Sequence, residues 1–263
     1  MTTDAIRTAS SSSILSILRP RPVDDPALRL YLLHHAGGSH SVFRSWLPMF
    51  PQDWDIRLVV APGRPKAASQ AVVRDLRVLG TAMTEHLATL GPGEPYALFG
   101  HSMGGLVSFA ASLGAADRGI AGPEWVGVSG HPGPFNSITR TRPPLHVLPA
   151  HELRSALGDL GGLPDRILRD DLLWQRVQPM VRADLEAAET WRPDRAPAVL
   201  DRPLSAFCGD RDPVAMAPDA ATWGRHTTEF LGVHAFPGDH FYFLDDPAPL
   251  VAGIIGDIRA VRR

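Results

Sequence analysis

The sequence predicts an α/β protein with a mostly parallel sheet, helices on both faces and an inserted helical segment. Two observations carry this prediction. Short apolar runs bounded by turn residues recur along the chain and are typical of buried strands, and apolar residues recur at helical spacing in the stretches between them. Regular alternation of strands and helices favours parallel strands with helices packed on both faces of the sheet.

The alternation begins at about residue 28 and continues to the C-terminus, which defines one domain over residues 28–263. The predicted strands are Leu28–His34, Ile56–Ala61, Tyr96–Phe99, Trp125–Ser129, Leu204–Cys208 and Val233–Phe236. The predicted helices that alternate with them are Val72–Leu90, Met103–Ala116 and Leu250–Val261. Residues 1–27 are expected to form a flexible N-terminal arm, because they are rich in serine and carry only the short apolar patch Ile14–Leu18.

One segment of the domain contains no predicted strand. From His131 to about Arg202 the chain offers Pro-rich turns and helical segments, with one helix at Ala150–Leu160 and one or two more within Asp165–Trp191. Because this segment lies between two predicted strands, we interpret it as a helical lid inserted at about residues 132–202. Open α/β sheets bind ligands at the C-terminal ends of their strands, so the lid is expected to cover a site there.

Composition and charge exclude several classes of function. The chain of 263 residues is 44% hydrophobic and 21% charged, which is ordinary for a globular protein, and its formal net charge of −2 gives no general attraction to nucleic acid or anionic membrane. No apolar run approaches the roughly 18–20 residues that span a bilayer. The single cysteine, Cys208, excludes an internal disulfide and fits a reducing compartment. We therefore expect a cytoplasmic protein that binds neither nucleic acid nor membrane.

A candidate nucleophile lies between a predicted strand and a predicted helix. Gly100-His101-Ser102-Met103-Gly104 has the G-x-S-x-G pattern, follows the strand Tyr96–Phe99 and opens the next helix at Met103. This strand–turn–helix setting is the one that a nucleophile elbow needs, in which small glycines allow a strained turn that exposes the serine hydroxyl. The alternative is a glycine-rich turn whose serine only caps the helix.

The base for this serine is expected late in the chain, because hydrolases of this kind order their triad as Ser, Asp, His. His240 follows the last predicted strand, in Phe236-Pro237-Gly238-Asp239-His240, and is the best placed of the eleven histidines. We therefore predict that His240 is the base, the alternative being a loop histidine bonded to backbone. His34 and His35 could suggest a metal pair, but neighbouring side chains on a strand point to opposite faces.

The acid that orients this histidine is expected at the end of a strand before it. The strand Trp125–Ser129 ends without a carboxylate, whereas the next predicted strand is followed by Gly209-Asp210-Arg211-Asp212-Pro213. One of the two aspartates should orient the imidazole, and the other would cap the loop or the following helix. The Asp-x-Asp spacing also resembles a metal-binding fragment, but no third group of ligands supports it, and no metal is predicted.

Donors for the oxyanion of a tetrahedral intermediate are expected from two backbone N–H groups. One is the N–H of Met103, the residue directly after the nucleophile. The other should come from the loop after the first predicted strand of the domain, His35-Ala36-Gly37-Gly38-Ser39, where glycines allow the backbone to approach a substrate. Ala36 N–H is the predicted second donor, and a purely structural Gly-Gly turn is the alternative.

Taken jointly and in order, these motifs resemble the type II thioesterases that accompany polyketide and nonribosomal peptide synthases, which have the α/β-hydrolase fold. The resemblance extends from about residue 28 to the C-terminus. The motifs that carry it in the sheet region are His35-Ala36-Gly37-Gly38, Pro62-Gly63-Arg64, Gly100-His101-Ser102-Met103-Gly104, Gly209-Asp210-Arg211-Asp212-Pro213 and Gly238-Asp239-His240-Phe241. Those in the lid are Gly161-Gly162-Leu163-Pro164, Met180-Val181-Arg182-Ala183-Asp184 and Glu189-Thr190.

The resemblance implies hydrolysis of acyl groups from the phosphopantetheine arms of acyl or peptidyl carrier proteins, which frees stalled synthases. It also implies that Asp212 is the triad acid. Ser102 would take the acyl group, His240 would take its proton, and Ala36 and Met103 would bind the oxyanion, with no cofactor. Two alternatives remain. An acyltransferase would use the same residues to pass the acyl group to another acceptor. A carrier-protein-binding module without essential catalysis is the other, and the intact triad argues against it. A free-standing carboxylester hydrolase fits the lid less well.

Two further expectations concern the segments that a substrate would meet. Leu145–Trp191 should form a mobile lid over an apolar acyl pocket, the alternative being a rigid extra helical layer. The lid side chains expected to face inward are Leu153, Leu157, Leu160, Leu168, Leu172 and Val177. Carrier proteins of this kind tend to be acidic, so a local basic patch is expected to attract them, the alternative being ordinary solvated arginines. The candidates for this patch are Arg140, Arg142, Arg154, Arg64 and Lys66.

Overall fold

One sheet of eight strands organises the chain, of which this computed structural model describes residues 6–7, 14–67, 69, 71–91, 93–135, 143–194 and 196–263. The strands are β1 (Ile6–Arg7), β2 (Ser16–Arg19), β3 (Leu28–Leu33), β4 (Trp54–Val60), β5 (Tyr96–His101), β6 (Trp125–Ser129), β7 (Leu200–Gly209) and β8 (Thr227–Phe236). The α-helices are α1 (Leu76–Leu87), α2 (Met103–Asp117), α3 (Ala150–Leu160), α4 (Asp165–Arg169), α5 (Asp171–Thr190), α6 (Ala217–Ala220) and α7 (Ala248–Val261). Shorter 3-10 helices occupy His40–Met49, Leu145–Val147 and Ala221–Arg225.

The strands lie side by side in the order β1-β2-β4-β3-β5-β6-β7-β8. The six strands from β3 to β8 run parallel, and β2 joins β4 antiparallel at one edge. Each residue of β3, β5 and β6 is buried, because helices cover both faces of the central sheet. The predicted mostly parallel sheet is therefore confirmed, and all six predicted strands are present.

Two apolar clusters lie on opposite faces of the sheet, as the alternation of side chains along a strand requires. On β3, Tyr31 and Leu33 belong to the cluster that α1 and α2 cover. Leu30 and Leu32 belong to the other cluster, which α7 and the 3-10 helix His40–Met49 cover. This double coverage fixes the C-terminal ends of β3, β5, β6, β7 and β8 relative to one another, and the candidate catalytic residues follow those ends.

Part of the expected N-terminal arm belongs to the sheet instead. Ser16–Arg19 pairs antiparallel with β4, and the side chains of Leu15, Ile17 and Leu18 are at most 5% exposed. Arg19 also binds the buried carboxylate of Asp55. The expectation of a flexible arm over residues 1–27 is wrong for this stretch, because its short apolar patch covers the edge of the sheet core.

Every regular element that the structure describes in the inserted segment between β6 and β7 is a helix. The segment contains the 3-10 helix Leu145–Val147 followed by α3, α4 and α5. These helices have their own apolar cluster, which includes Leu153, Leu157 and Trp174, and Val177 packs against it. Leu160 and Leu168 are half-buried, but Leu172 is 78% exposed, so the expectation that Leu172 faces inward is wrong. The longest helix, α5, has 20 residues, and no helix in the described part of the chain is both long and apolar enough to cross a membrane.

Candidate active site

Ser102 stands on a sharp turn between β5 and α2. Its φ of 54° and ψ of −117° lie in a region that side-chain-bearing residues rarely adopt, which is the strain expected of a nucleophile elbow. A Cβ on Gly100 would lie 2.1 Å from the carbonyl oxygen of Gly104, so this turn requires glycine there. Ser102 N–H donates to Ser129 O at 2.7 Å, which fixes the elbow to the end of β6. The serine side chain remains half-buried.

His240 and Asp212 are in direct contact although 28 residues separate them in the sequence. Nδ1 of His240 lies 3.0 Å from both carboxylate oxygens of Asp212, and the two residues are 2% and 1% exposed. Because a carboxylate only accepts hydrogen bonds, Nδ1 carries a proton, and in the neutral imidazole the lone pair is on Nε2. A Cβ on Gly130 would lie 3.0 Å from Cε1 of His240, so the imidazole and the serine turn adjoin the same strand end.

The structure separates the two aspartates that follow β7. Asp210 Oδ1 accepts a hydrogen bond from Gly238 N–H at 2.9 Å, so this carboxylate holds the turn that precedes His240. Asp212 Oδ1 accepts from Val214 N–H at 2.8 Å in addition to its contact with the imidazole. Gly209 permits the close approach of the two loops, because a Cβ there would lie 2.2 Å from Asp239 O. Of the two carboxylates, only Asp212 contacts the histidine.

The two predicted oxyanion donors lie on adjoining segments. Met103 is the first residue of α2, where a backbone N–H has no acceptor inside the helix. Ala36 is half-buried in the loop after β3. A Cβ on Gly104 would lie 2.2 Å from Leu33 O, so the start of α2 rests directly against the end of β3. The elbow and the loop that carries Ala36 therefore follow strand ends that lie against each other.

Three buried histidines surround His240, and the pKa of each is lowered. Burial and the proximity of His240 lower the pKa of His35 to about 3, and burial lowers that of His131 to about 4. Burial also holds the pKa of His101 well below its ordinary value. The ring centroids of His101 and His240 are 4.7 Å apart. Of these four imidazoles, His240 is the one hydrogen-bonded to a carboxylate.

Lid residues contact the candidate site directly. His35 Nε2 lies 3.4 Å from Gly162 O, in the loop between α3 and α4. Phe241 lies beneath that loop, and its ring centroid is 4.9 Å from that of His240. A Cβ on Gly162 would lie 2.1 Å from Cζ of Phe241. The close fit of this lid loop on Phe241 was not predicted from the sequence, although Gly161-Gly162 was noted there.

We expect Gly162→Ala to lower kcat/KM by about 10- to 100-fold, because the new methyl group must displace either the lid loop or the Phe241 ring beside His240. Gly161→Ala is the matched control. Its φ of 84° is equivalent to the 83° of Gly162, but its Cβ would lie 3.4 Å from the ring, an ordinary contact. Both variants should lose similar stability from backbone strain. Steady-state kinetics on a small acyl thioester separates them, and equal activity would contradict the steric argument.

The prediction of a basic patch is wrong for two of its five candidate residues, Arg64 and Arg154. Arg64 is only 2% exposed and pairs with Asp184 of α5. Arg154 donates to Leu168 O at 2.8 Å and pairs with Asp171, so it joins α3 to the following helices. Lys66 is exposed. The other two candidates, Arg140 and Arg142, lie outside the described residues.

Within the residues that the structure describes, no group of three or more His, Cys, Asp or Glu side chains is arranged to hold a metal ion. The site brings together a serine on a strained turn, a histidine bonded to a carboxylate, and the N-terminus of a helix. Acyl transfer through serine requires groups of these kinds. The fold and this elbow define a serine hydrolase of the α/β-hydrolase class. The chain belongs to the thioesterase family, because the thioesterase domain family matches residues 28–259.

Individual relatives agree with the family assignment. The chain is 33% identical to thioesterase PikA5 of Streptomyces venezuelae over 245 residues, which cover 91% of this chain and 84% of that protein. RedJ, a thioesterase from the prodiginine biosynthetic pathway in Streptomyces coelicolor, matches with a TM-score of 0.77 at 32% identity, over 90% of this chain and 91% of RedJ. BorB, a type II thioesterase from the borrelidin biosynthetic cluster, matches with a TM-score of 0.78 at 30% identity, over 95% of this chain and all (100%) of BorB. The resemblance to type II thioesterases and the α/β-hydrolase fold are confirmed.

Proposed function

We propose that this thioesterase hydrolyses acyl groups from the phosphopantetheine thiols of acyl or peptidyl carrier proteins, as an editing enzyme of polyketide or nonribosomal peptide synthesis. In this proposal Ser102 is the nucleophile, His240 the base and Asp212 the orienting acid. The observation that carries the assignment is the double contact of Asp212 with Nδ1 of His240 beside the strained Ser102 turn. Relatives from the prodiginine biosynthetic pathway and the borrelidin biosynthetic cluster support the substrate class.

The proposed reaction has two steps, and both use the same residues. Ser102 Oγ attacks the thioester carbonyl carbon as its proton moves to Nε2 of His240, and the oxyanion is bound by the N–H groups of Ala36 and Met103. Collapse of the tetrahedral intermediate breaks the C–S bond, and the leaving thiolate takes the proton from His240. A water molecule then attacks the acyl-serine with His240 again as base, which releases the carboxylic acid and restores the serine.

The proposal also places the helical lid over the acyl chain and the protein in the cytoplasm. Helices α3, α4 and α5 would cover the acyl chain, with the loop at Gly161-Gly162 resting on Phe241 at the edge of the site. The chain would act in the cytoplasm, which suits its single cysteine, the buried thiol of Cys208. Burial raises the pKa of that thiol to about 11, so it is not a competing nucleophile.

Intact-mass measurement of acyl-loaded carrier proteins tests this function. Incubation with the wild-type protein should remove the mass of the acyl group and leave the phosphopantetheine arm, and Ser102→Ala should remove none of it at matched concentration. Free carboxylic acid should appear in equal amount even when thiol or amine acceptors are added. Quantitative transfer of the acyl group to an added acceptor would instead support an acyltransferase. Loss of acyl mass at an unchanged rate with Ser102→Ala would contradict the assignment.

A further inference from the structure

A carboxylate from the lid reaches the loop that carries the candidate oxyanion donor. Asp184 lies on α5, and its Oδ2 accepts a hydrogen bond from Gly37 N–H at 2.8 Å. The same carboxylate binds the guanidinium of Arg64, with Oδ1 3.1 Å from one terminal nitrogen and Oδ2 in contact with the other. Arg64 Nε in turn donates to Gly38 O at 3.0 Å. Asp184 and Arg64 therefore hold two consecutive residues of the loop.

This ion pair is buried against the loop and covered by the lid. Asp184 and Arg64 are 3% and 2% exposed. A Cβ on Gly37, whose φ is 75°, would lie 3.1 Å from Cγ2 of Val181 on the same helix, so the loop fits closely under α5. Buried ion pairs are weak contributors to net stability, because desolvation offsets their attraction. The position of this pair beside the active site therefore points to a role in geometry.

The hydrogen bonds leave one N–H of the loop for a substrate. Gly37 N–H is taken by Asp184, and Gly38 N–H donates to His35 O at 3.1 Å. Among the described residues, none accepts from Ala36 N–H. Because a peptide unit is planar, the bond from Gly37 N–H to Asp184 fixes the peptide that joins Ala36 to Gly37. The preceding peptide, which carries Ala36 N–H, is held through its own carbonyl, His35 O, by Gly38 N–H. The orientation of Ala36 is thereby tied to a side chain of the lid.

We propose that Asp184, supported by Arg64, is a positioning residue that holds Ala36 N–H in place for the oxyanion. This inference rests on the proposed function. It makes the C-terminal half of α5 part of the active centre and not a removable cover. If that half of the helix moved away, the donor loop would lose its anchor and the rate of acyl transfer would fall. Binding of the substrate before reaction would change little, because the oxyanion forms only in the transition state.

Asp184→Asn tests the proposal, with Asp55→Asn as the matched control. Asp55 is also a fully buried carboxylate (0% exposed) bound by two arginines, Arg19 and Arg57, but it lies at the opposite end of the strands from the site. On a small acyl thioester, Asp184→Asn should lower kcat by about 10- to 100-fold and change KM by less than about threefold, since loss of a whole oxyanion donor costs about 10²–10³. Inhibition by a boronic acid, which forms a tetrahedral adduct on serine, should weaken in proportion to kcat.

The same measurements distinguish a failure of this inference from a failure of the proposed function. Asp55→Asn should keep kcat within about twofold while losing thermal stability comparable to that of Asp184→Asn. A folded Asp184→Asn protein with the kcat and boronate affinity of Asp55→Asn overturns the inference. If Asp184→Asn does not fold, Arg64→Lys decides, because it keeps the positive charge but loses the Nε bond to Gly38 O. Unchanged kcat in folded Arg64→Lys then overturns it. A wild-type protein without thioesterase activity would overturn the proposed function itself.

Discussion

Asp212→Asn should lower kcat/KM by roughly 10²–10⁴, whereas Asp210→Asn should cost about tenfold or less. The amide oxygen of an asparagine at position 212 can still accept from Val214 N–H, which leaves its NH₂ group facing Nδ1 of His240. Nδ1 must then accept, the proton moves to Nε2, and the imidazole can no longer take a proton from Ser102. Asp210 accepts one hydrogen bond from Gly238 N–H, worth about 1 kcal/mol, and forms an exposed ion pair with Arg211.

Steady-state kinetics on one acyl thioester compares the two variants, and circular dichroism checks that each is folded. Asp210→Asn is the matched control, because it lies on the same loop and changes the same charge. If Asp210→Asn lowered kcat/KM strongly and Asp212→Asn turned over normally, the acid would have to be reassigned to Asp210. Equal losses in both variants would mean that the loop as a whole, and not the contact with His240, limits the rate.

The free energy of unfolding should decrease as the pH falls from 7 to 5, because four buried histidines take up protons when the chain unfolds. His34, His35, His101 and His131 are at most 7% exposed, and burial lowers the pKa of each in the folded protein. In the unfolded chain each histidine has a pKa of about 6.5. Below that pH the unfolded chain binds protons that the folded chain does not bind. The free energy of unfolding therefore falls as pH decreases, by up to about 1.4 kcal/mol per pH unit for each histidine.

Urea denaturation at pH 7, 6 and 5 measures this loss. The slope of the free energy of unfolding against pH reports the number of protons that unfolding takes up. His131→Gln should reduce that slope by about one proton, whatever it does to the stability at pH 7. Stability that is constant from pH 7 to pH 5, or a slope that His131→Gln leaves unchanged, would contradict the neutral state of these imidazoles.

The sequence predicted those parts of the fold and site that depend on local pattern. Strands β3 to β8 were located because buried parallel strands are continuous apolar runs, and the elbow at Ser102 because its turn and flanking elements are contiguous. The pairing of Asp212 with His240 followed from the order of the motifs and from the family resemblance. Only the side-chain geometry separates their roles, since Asp210 and Asp212 share one loop and bind different partners.

The features that the sequence did not predict depend on contacts between distant residues. The apolar patch at residues 15–19 is too short, and its surroundings too polar, for the sequence to predict an ordered element. Part of it forms a strand because it pairs with the edge of β4, some 40 residues later in the sequence. Arg64 looked like a solvated cation, but its partner Asp184 lies 120 residues away and buries it. Leu172 was expected inside the lid, yet it lies in the first turn of α5, where helical spacing alone does not fix which side faces solvent.

Stoichiometric labelling with a fluorophosphonate tests most directly the proposed acylation of Ser102 with help from His240. The reagent needs an activated serine and forms a stable adduct, so the mass of the intact protein and of its peptides locates the reacting residue. We predict one adduct per chain, on the peptide that contains Ser102, with thioesterase activity lost in step with labelling. The reaction should be slowed at least 100-fold in His240→Gln. An adduct on another residue, or full activity in the labelled protein, would contradict the account.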